Sequence, residues 1–474
     1  MESLRPLIID AYGTANIASH EWYANYIQEA YKIDIGTLFI EERGQYLSIK
    51  GTHPFFSNGS PARSPIGFRS SMQFPLGQQS NCIPTVVTKG GLFPYEGVEI
   101  PETTLARVRN GEVLFLLSNL AADMQYVSTL ELQQLVYGQL GEPAMAAFPL
   151  QSITVETIAG IDPMEFIRRN YLKDQQNQII QIYNRAQLLK FLETGVLPNS
   201  ADTIVDTFPD GYELGQLQML MMYPDIRINE LISQLFFDDT AIQNDPLHRN
   251  LRNKRSGIMI LGPDLLARGA DSVDSVYRRM QEVLQMAWGV DIDLPDYQIT
   301  EANHHLAWNI MQESLATNRN TLLPQFASAI SHTVAVAHLN GFLFNTTNKI
   351  EGSAVTSRNI AMPWLVGNRM QVTINDLITL RDLRSDSGEG FLHNERLFYE
   401  DLVRDLKELF VSFGILTRFM GTDFDANEMI DQIRQEYNVI AGRLKDASPI
   451  KNLVLSAFED PILISHCQKI WPRL

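Results

Sequence analysis

Glu301-Ala-Asn-His304 is the spacing in this sequence with the most obvious chemical use. A Glu-x-x-His on a helix puts a carboxylate and an imidazole on one face, as di-iron bundles do. Such a centre needs a second copy and two further glutamates, and no matching copy follows. His332 and His338 lie six positions apart on the next expected helix, which places them on different faces. His304 and His305 are adjacent and diverge likewise. Isolated histidines serve more often as hydrogen-bonded structural groups than as ligands, so no metal site is expected.

The other catalytic patterns fail on single residues. Gly257-Ile-Met-Ile-Leu-Gly262 has the glycine spacing of a P-loop. Pro263 and Asp264 then stand where Lys and Ser/Thr would bind phosphate and magnesium, and an aspartate there repels phosphate. There is no Rossmann glycine fingerprint and no Gly-x-Ser-x-Gly elbow. Cys82 and Cys467 lack a neighbouring helix start or cationic cluster that would activate a thiol. They read as two free thiols rather than a disulfide. Adjacent acids such as Glu41-Glu42 and Asp238-Asp239 decorate an acidic surface. The sequence therefore assigns no catalytic, cofactor-binding or metal-ligating residue, and no cofactor is expected.

Two stretches carry candidate contacts instead. Residues 51–97 contain Pro54, Pro61, Pro65, Pro75, Pro84 and Pro94, interleaved with Phe55, Phe56, Phe68, Phe74 and Phe93. Proline blocks helix and central strand, so a long irregular segment is expected. Its aromatic content is too high for a disordered linker. Those five phenylalanines are the expected partner interface, with packing on the segment's own domain the equally weighted alternative. The second stretch is 248–255, where Arg249, Arg252, Lys254 and Arg255 could contact phosphate or an acidic partner. No stacking aromatics accompany them, which favours a solvated loop.

Elements must position these residues, and the bulk composition sets their scale. At 474 residues, two or three domains are expected. Hydrophobic residues at 45% and charged residues at 20% are those of a globular chain with a sizeable core. A formal net charge of −17 disfavours extensive contact with nucleic acid or anionic membranes. No run is long and apolar enough to span a bilayer, and the first residues are too short and acidic for a signal peptide.

Helical periodicity is expected at 16–31, 128–137, 164–183, 185–193, 213–222, 228–237 and 273–288. Strands are expected at 37–40 and 46–49 around a turn using Gly44, at 113–117, at 153–158 and at 371–374. Two helices separated by a polar break span 300–344, and the second is apolar on nearly all sides, the mark of a buried helix. Tyr399, Leu402, Leu406, Leu409 and Phe413 repeat at 3-4-3-4 spacing, as do Ile430, Ile433, Tyr437, Ile440 and Leu444. Asn394 opens the first of these helices, and Asp423 or Asp425, with Glu428, opens the second. Together they predict a helical hairpin.

The expected fold class is α+β, predominantly α-helical. A small β-containing irregular N-terminal region precedes a helical core and a C-terminal antiparallel helical hairpin. Expected domains are 1–160, 161–390 around the 300–344 pair, and 391–474. The functional expectation is a non-enzymatic structural subunit of a large protein assembly, a capsid or tail protein of a phage or other virus, located in the virion or in the cytoplasm during assembly. Its partners would be other protein subunits, with no membrane and at most a local nucleic-acid contact through 248–255. The alternatives are an accessory subunit of a polymerase- or secretion-type machine, and an enzyme whose site is assembled from scattered residues.

Overall fold

The computed structural model describes residues 8–16, 21–31, 44–47, 71–75, 83–89, 117–158, 160–163, 213–223, 227–228, 231, 273–300, 302–344, 355, 359–375, 377, 380–385, 392–421, 426–444 and 449–470. The expected elements at 37–40, 164–183 and 185–193 lie outside these residues. Of the described residues, 64% are helical, with antiparallel strands towards the N-terminus and a C-terminal helical region. The protein is a mixed α+β chain, mainly helical. The chain forms two compact units. One takes 1–79, 83–127 and 148–223; the other takes 80–82, 128–147 and 224–474.

The first unit is built on one sheet. Its described elements are β1 (Ile8–Asn16), α1 (Glu21–Tyr31), β2 (Gly44–Leu47), β3 (Ser71–Pro75), β4 (Ile83–Lys89), β5 (Leu117–Ser118), the start of α2 (Asn119–Leu140), β6 (Phe148–Ile158) and β7 (Leu214–Tyr223). The strand order is β2-β1-β6-β7-β4-β3, with every pairing antiparallel and β5 also on β7. β6 is central and nearly all buried, as a strand covered on both faces must be. Tyr23 of α1 is fully buried, with its ring edge-on to Phe148 at 5.0 Å.

Four expectations are corrected in this unit. Residues 214–223 form strand β7, not a helix. Leu, Met and Gln favour helix in isolation, but β7 lies between β6 and β4, bonded on both edges, with Gly215, Leu217, Met219 and Leu220 buried. The 51–97 segment is not without regular pairing, because it supplies β3 and β4. Pro84 sits second in β4, opposite Met222, so strand pairing absorbs its missing N–H near a strand end. Gly44 is not a turn residue but pairs with Ala11. Asn16 closes β1 rather than opening a helix.

α2 begins nine residues before the Ser128 capping pattern, because tertiary contact fixes its start. The Asn119 N–H donates to the Glu213 carbonyl at 2.8 Å. That approach requires Gly215, where a Cβ would lie 2.7 Å from the Ile153 carbonyl oxygen and 3.0 Å from Asn119 Cα.

The second unit holds the rest of α2, then α3 (Val273–Trp288), α4 (His304–Thr317), α5 (Arg319–Leu339), β8 (Phe342–Leu343), β9 (Trp364–Val366), β10 (Arg369–Gln371), β11 (Arg381–Asp382), α6 (Glu395–Phe419), α7 (Ala426–Arg443), α8 (Pro449–Ser456), a 3-10 turn (Ala457–Glu459) and α9 (Pro461–Ile470). α5 is the centre. From Leu322 to Leu339, all but Pro324, Gln325 and Ser328 are buried. Its alanines at 327, 329, 335 and 337 are all buried. Trp288 of α3 packs on Phe326 of α5 at 4.7 Å and on Phe419 of α6 at 5.8 Å. Helix α6 starts where expected, with the Asn394 Oδ1 accepting the Leu397 N–H at 2.9 Å. Leu406 and Ile433 are both fully buried. α7 packs principally on α5, so the apolar repeats of α6 and α7 meet the central helix more than each other.

The expected second helix of the 300–344 pair stops early. α5 ends at Leu339, and Phe342–Leu343 turn into strand β8 against β11. Gly341 makes the exit, with φ of +85°. A Cβ there would meet Arg384 Cγ at 2.9 Å, so both backbone and space require glycine.

Candidate functional site

Two polar clusters sit on the buried helix α5, and an apolar ridge sits on α2. The first cluster is around His338, which is fully buried. Its Nδ1 is 2.8 Å from the Tyr437 hydroxyl of α7, and its Nε2 is 3.2 Å from Asp405 Oδ2 of α6. The same oxygen accepts the Phe344 N–H at 2.8 Å. A carboxylate only accepts, so with a neutral ring Nε2–H donates to Asp405 and the Tyr437 O–H donates to Nδ1. Every group of this chain is then satisfied. Burial, reinforced by the negative charge of Asp405, pushes the Tyr437 phenol well above its ordinary value of 10, which keeps the O–H in place. An Asp-His-Tyr chain of this kind can relay a proton in principle, but all three side chains are buried and hold α5, α6 and α7 together. One turn earlier on α6, Asp401 is also buried, and burial raises its carboxyl despite Arg404 at 3.0 Å and Arg381 at 3.6 Å.

The second cluster surrounds His332. Its Nδ1 lies 3.2 Å from Glu436 Oε1 of α7 and its Nε2 3.8 Å from Glu142 Oε1, in the turn after α2. Arg369 of β10 sets Nη2 at 3.3 and 3.4 Å from the two ring nitrogens while its Nη1 donates to Glu142. Arg443 of α7 donates to the other Glu142 oxygen. Burial raises the Glu142 carboxyl, but the hydrogen bonds and charges of Arg369 and Arg443 outweigh it and hold the group below its ordinary 4.5. Four chain segments are tied through one imidazole.

The ridge is on the first half of α2. Leu120, Met124 and Val127 are 48%, 48% and 51% exposed, and their spacing of four and three places them along one line of the helix. The opposite face, with Ala122, Gln125 and Tyr126, is buried. Beside the ridge, Asp123 Oδ1 accepts from the Thr14 hydroxyl at 2.8 Å and from the Ser152 hydroxyl.

Of the residues singled out in the sequence, Phe74 lies on β3 opposite Val86. Phe55, Phe56, Phe68, Phe93, Arg249, Arg252, Lys254 and Arg255 lie outside the described residues, as does Glu301. His304 Nδ1 is 3.3 Å from the Tyr277 hydroxyl. Among the described residues, no three His, Cys, Asp or Glu side chains are grouped to hold a metal ion, and no helix is long and apolar enough to cross a membrane. Cys467 is a free, buried thiol that burial raises to about 12.

Sequence reasoning missed both clusters and the ridge. The available signal was two histidines in an otherwise apolar helix, but their partners come from positions 37 to 190 residues away on four other segments. Compared with known proteins, the chain matches no family model and no curated sequence.

Proposed function

We propose that this chain is a non-enzymatic structural subunit of a large protein assembly, of the capsid or tail kind found in phage and other virions. The observation that supports it best is the Leu120, Met124 and Val127 ridge. Three large apolar side chains in line on one helix face are costly to leave in water and mark a protein contact. The chemistry of the α5 clusters supports the same reading: their polar groups hydrogen-bond one another and serve to fix the helices. The partners are other protein subunits, and the chain resides in the virion, or in the cytoplasm during assembly.

The experiment is the native mass of the full chain, measured by light scattering after purification and again after extraction from its source. It is repeated with Leu120→Glu and Val127→Glu combined. The expected result is a multimer or hetero-complex that the double variant loses while keeping the wild-type circular dichroism and melting temperature. A chain that is monomeric in both preparations refutes the proposal. A double variant that assembles as well as wild type refutes the role of the ridge.

A further inference from the structure

Residues 43–95 contain no Asp or Glu, although the chain holds 55 of them, and carry Arg43, Lys50, Arg63, Arg69 and Lys89. The stretch is formally +5 in a chain of −17, which leaves −22 on the rest. Two acidic copies repel unless the surfaces that meet are complementary in charge. Within the stretch, residues 48–70 join Leu47, the end of β2, to Ser71, the start of β3, and bring Phe55, Phe56 and Phe68. β2 and β3 are the two ends of the strand order, five strand spacings apart, and Leu47 and Ser71 sit at different levels along the strands. The gap between them is roughly 25–35 Å. A connection of this length extends to about 75 Å. Segment 48–70 is therefore long enough to stand up to roughly 30 Å clear of its own sheet.

We propose that segment 48–70 of one copy packs its phenylalanines on the Leu120, Met124 and Val127 ridge of a second copy. This contact presupposes the assembly role proposed above and makes the partner another copy of the chain. In the single chain all three ridge side chains are about half exposed, so their cover comes from outside it. Aromatic rings supply large apolar area to such a line of side chains. The charges agree in sign. Between Asn119 and Val127 the one charged residue is Asp123, beside the ridge, whereas segment 48–70 brings Lys50, Arg63 and Arg69 and no acid. Its cations therefore face a surface without a like charge on that helix. Each copy holds one segment and one ridge, so the contact can join two copies reciprocally or run from copy to copy.

The test is disulfide cross-linking between two co-expressed full-length variants, Phe56→Cys and Val127→Cys, each also carrying Cys82→Ser. Cys467 stays, because its buried thiol, raised to about 12, is unreactive. Val127 is exposed, so its replacement leaves the core intact. After mild oxidation, the expected product is a species of twice the chain mass whose digest contains the disulfide between positions 56 and 127. Its yield should far exceed that obtained when Leu306→Cys, which is 45% exposed on α4, replaces Val127→Cys. Equal yields with the two partners overturn the proposal, since the link then reports chance collision. A chain carrying both Phe56→Cys and Val127→Cys that closes the link within itself, at the mass of one chain, also overturns it. Light scattering of the same samples separates this contact from the assembly role. A multimer without the 56–127 link overturns the contact and leaves the assembly role standing, whereas a monomer overturns both.

Discussion

Replacing Tyr437 by Phe removes one oxygen from the centre of the second unit and tests the reading of its core. The hydroxyl is 2.8 Å from His338 Nδ1, and both residues are fully shielded from water. The ring and its packing stay, so no cavity term arises. What remains is a buried imidazole nitrogen without a partner, which costs about 1–3 kcal/mol. A second effect has a definite sign. Burial raises the Tyr437 phenol above its ordinary 10, so the folded state holds its proton where the unfolded state releases it. The stability this contributes is full below pH 10 and is lost as pH rises through the folded value, at about 1.4 kcal/mol per pH unit for each such group. Tyr126 and Tyr399, both raised to about 12, add slopes of the same sign. Urea unfolding followed from pH 7 to 11 should therefore show Tyr437→Phe less stable at neutral pH and less steeply destabilised above pH 10. A variant as stable as wild type at pH 7, with an unchanged alkaline slope, would refute the hydrogen-bonded chain.

Ile433→Ala removes a fully buried side chain of α7 and should cost about 2–5 kcal/mol; a loss below 1 kcal/mol would show that the site collapses around the cavity. Gly341→Ala should destabilise by roughly 1–3 kcal/mol, because φ is +85° and the new methyl meets Arg384, and an unchanged melting temperature would count against that geometry. Glu142 has a depressed carboxyl, so its stabilisation is present above its ordinary 4.5 and fades as pH falls through the folded value. Glu142→Gln should thus be less stable than wild type at pH 7 and converge with it in strong acid. Asp401 has the opposite sign, since its raised carboxyl disfavours the ionised form at neutral pH. Asp401→Asn is then expected to match or exceed wild-type stability at pH 7 in the same unfolding measurement.

What the sequence by itself determined is the set of long, strongly periodic helices. The stretches that became α3, α4 and α6, and the buried character of α5, were legible because apolar spacing at 3.6 residues persists over several turns. The Asn394 cap was legible because capping is a local hydrogen bond. Tertiary structure decided the rest, in each case because the deciding contact is far away in the chain. β7 reads as helix from its Leu, Met and Gln, and becomes a strand because β6 and β4 bond both of its edges. Pro75 and Pro84 argue against strands, yet β3 and β4 form where the prolines fall at or near strand ends. The clusters on α5 draw on Glu142, Arg369, Asp405, Glu436, Tyr437 and Arg443, which nothing in local spacing joins to His332 or His338. A histidine's role depends on which charges stand within about 4 Å of its ring, and folding alone brings those charges together.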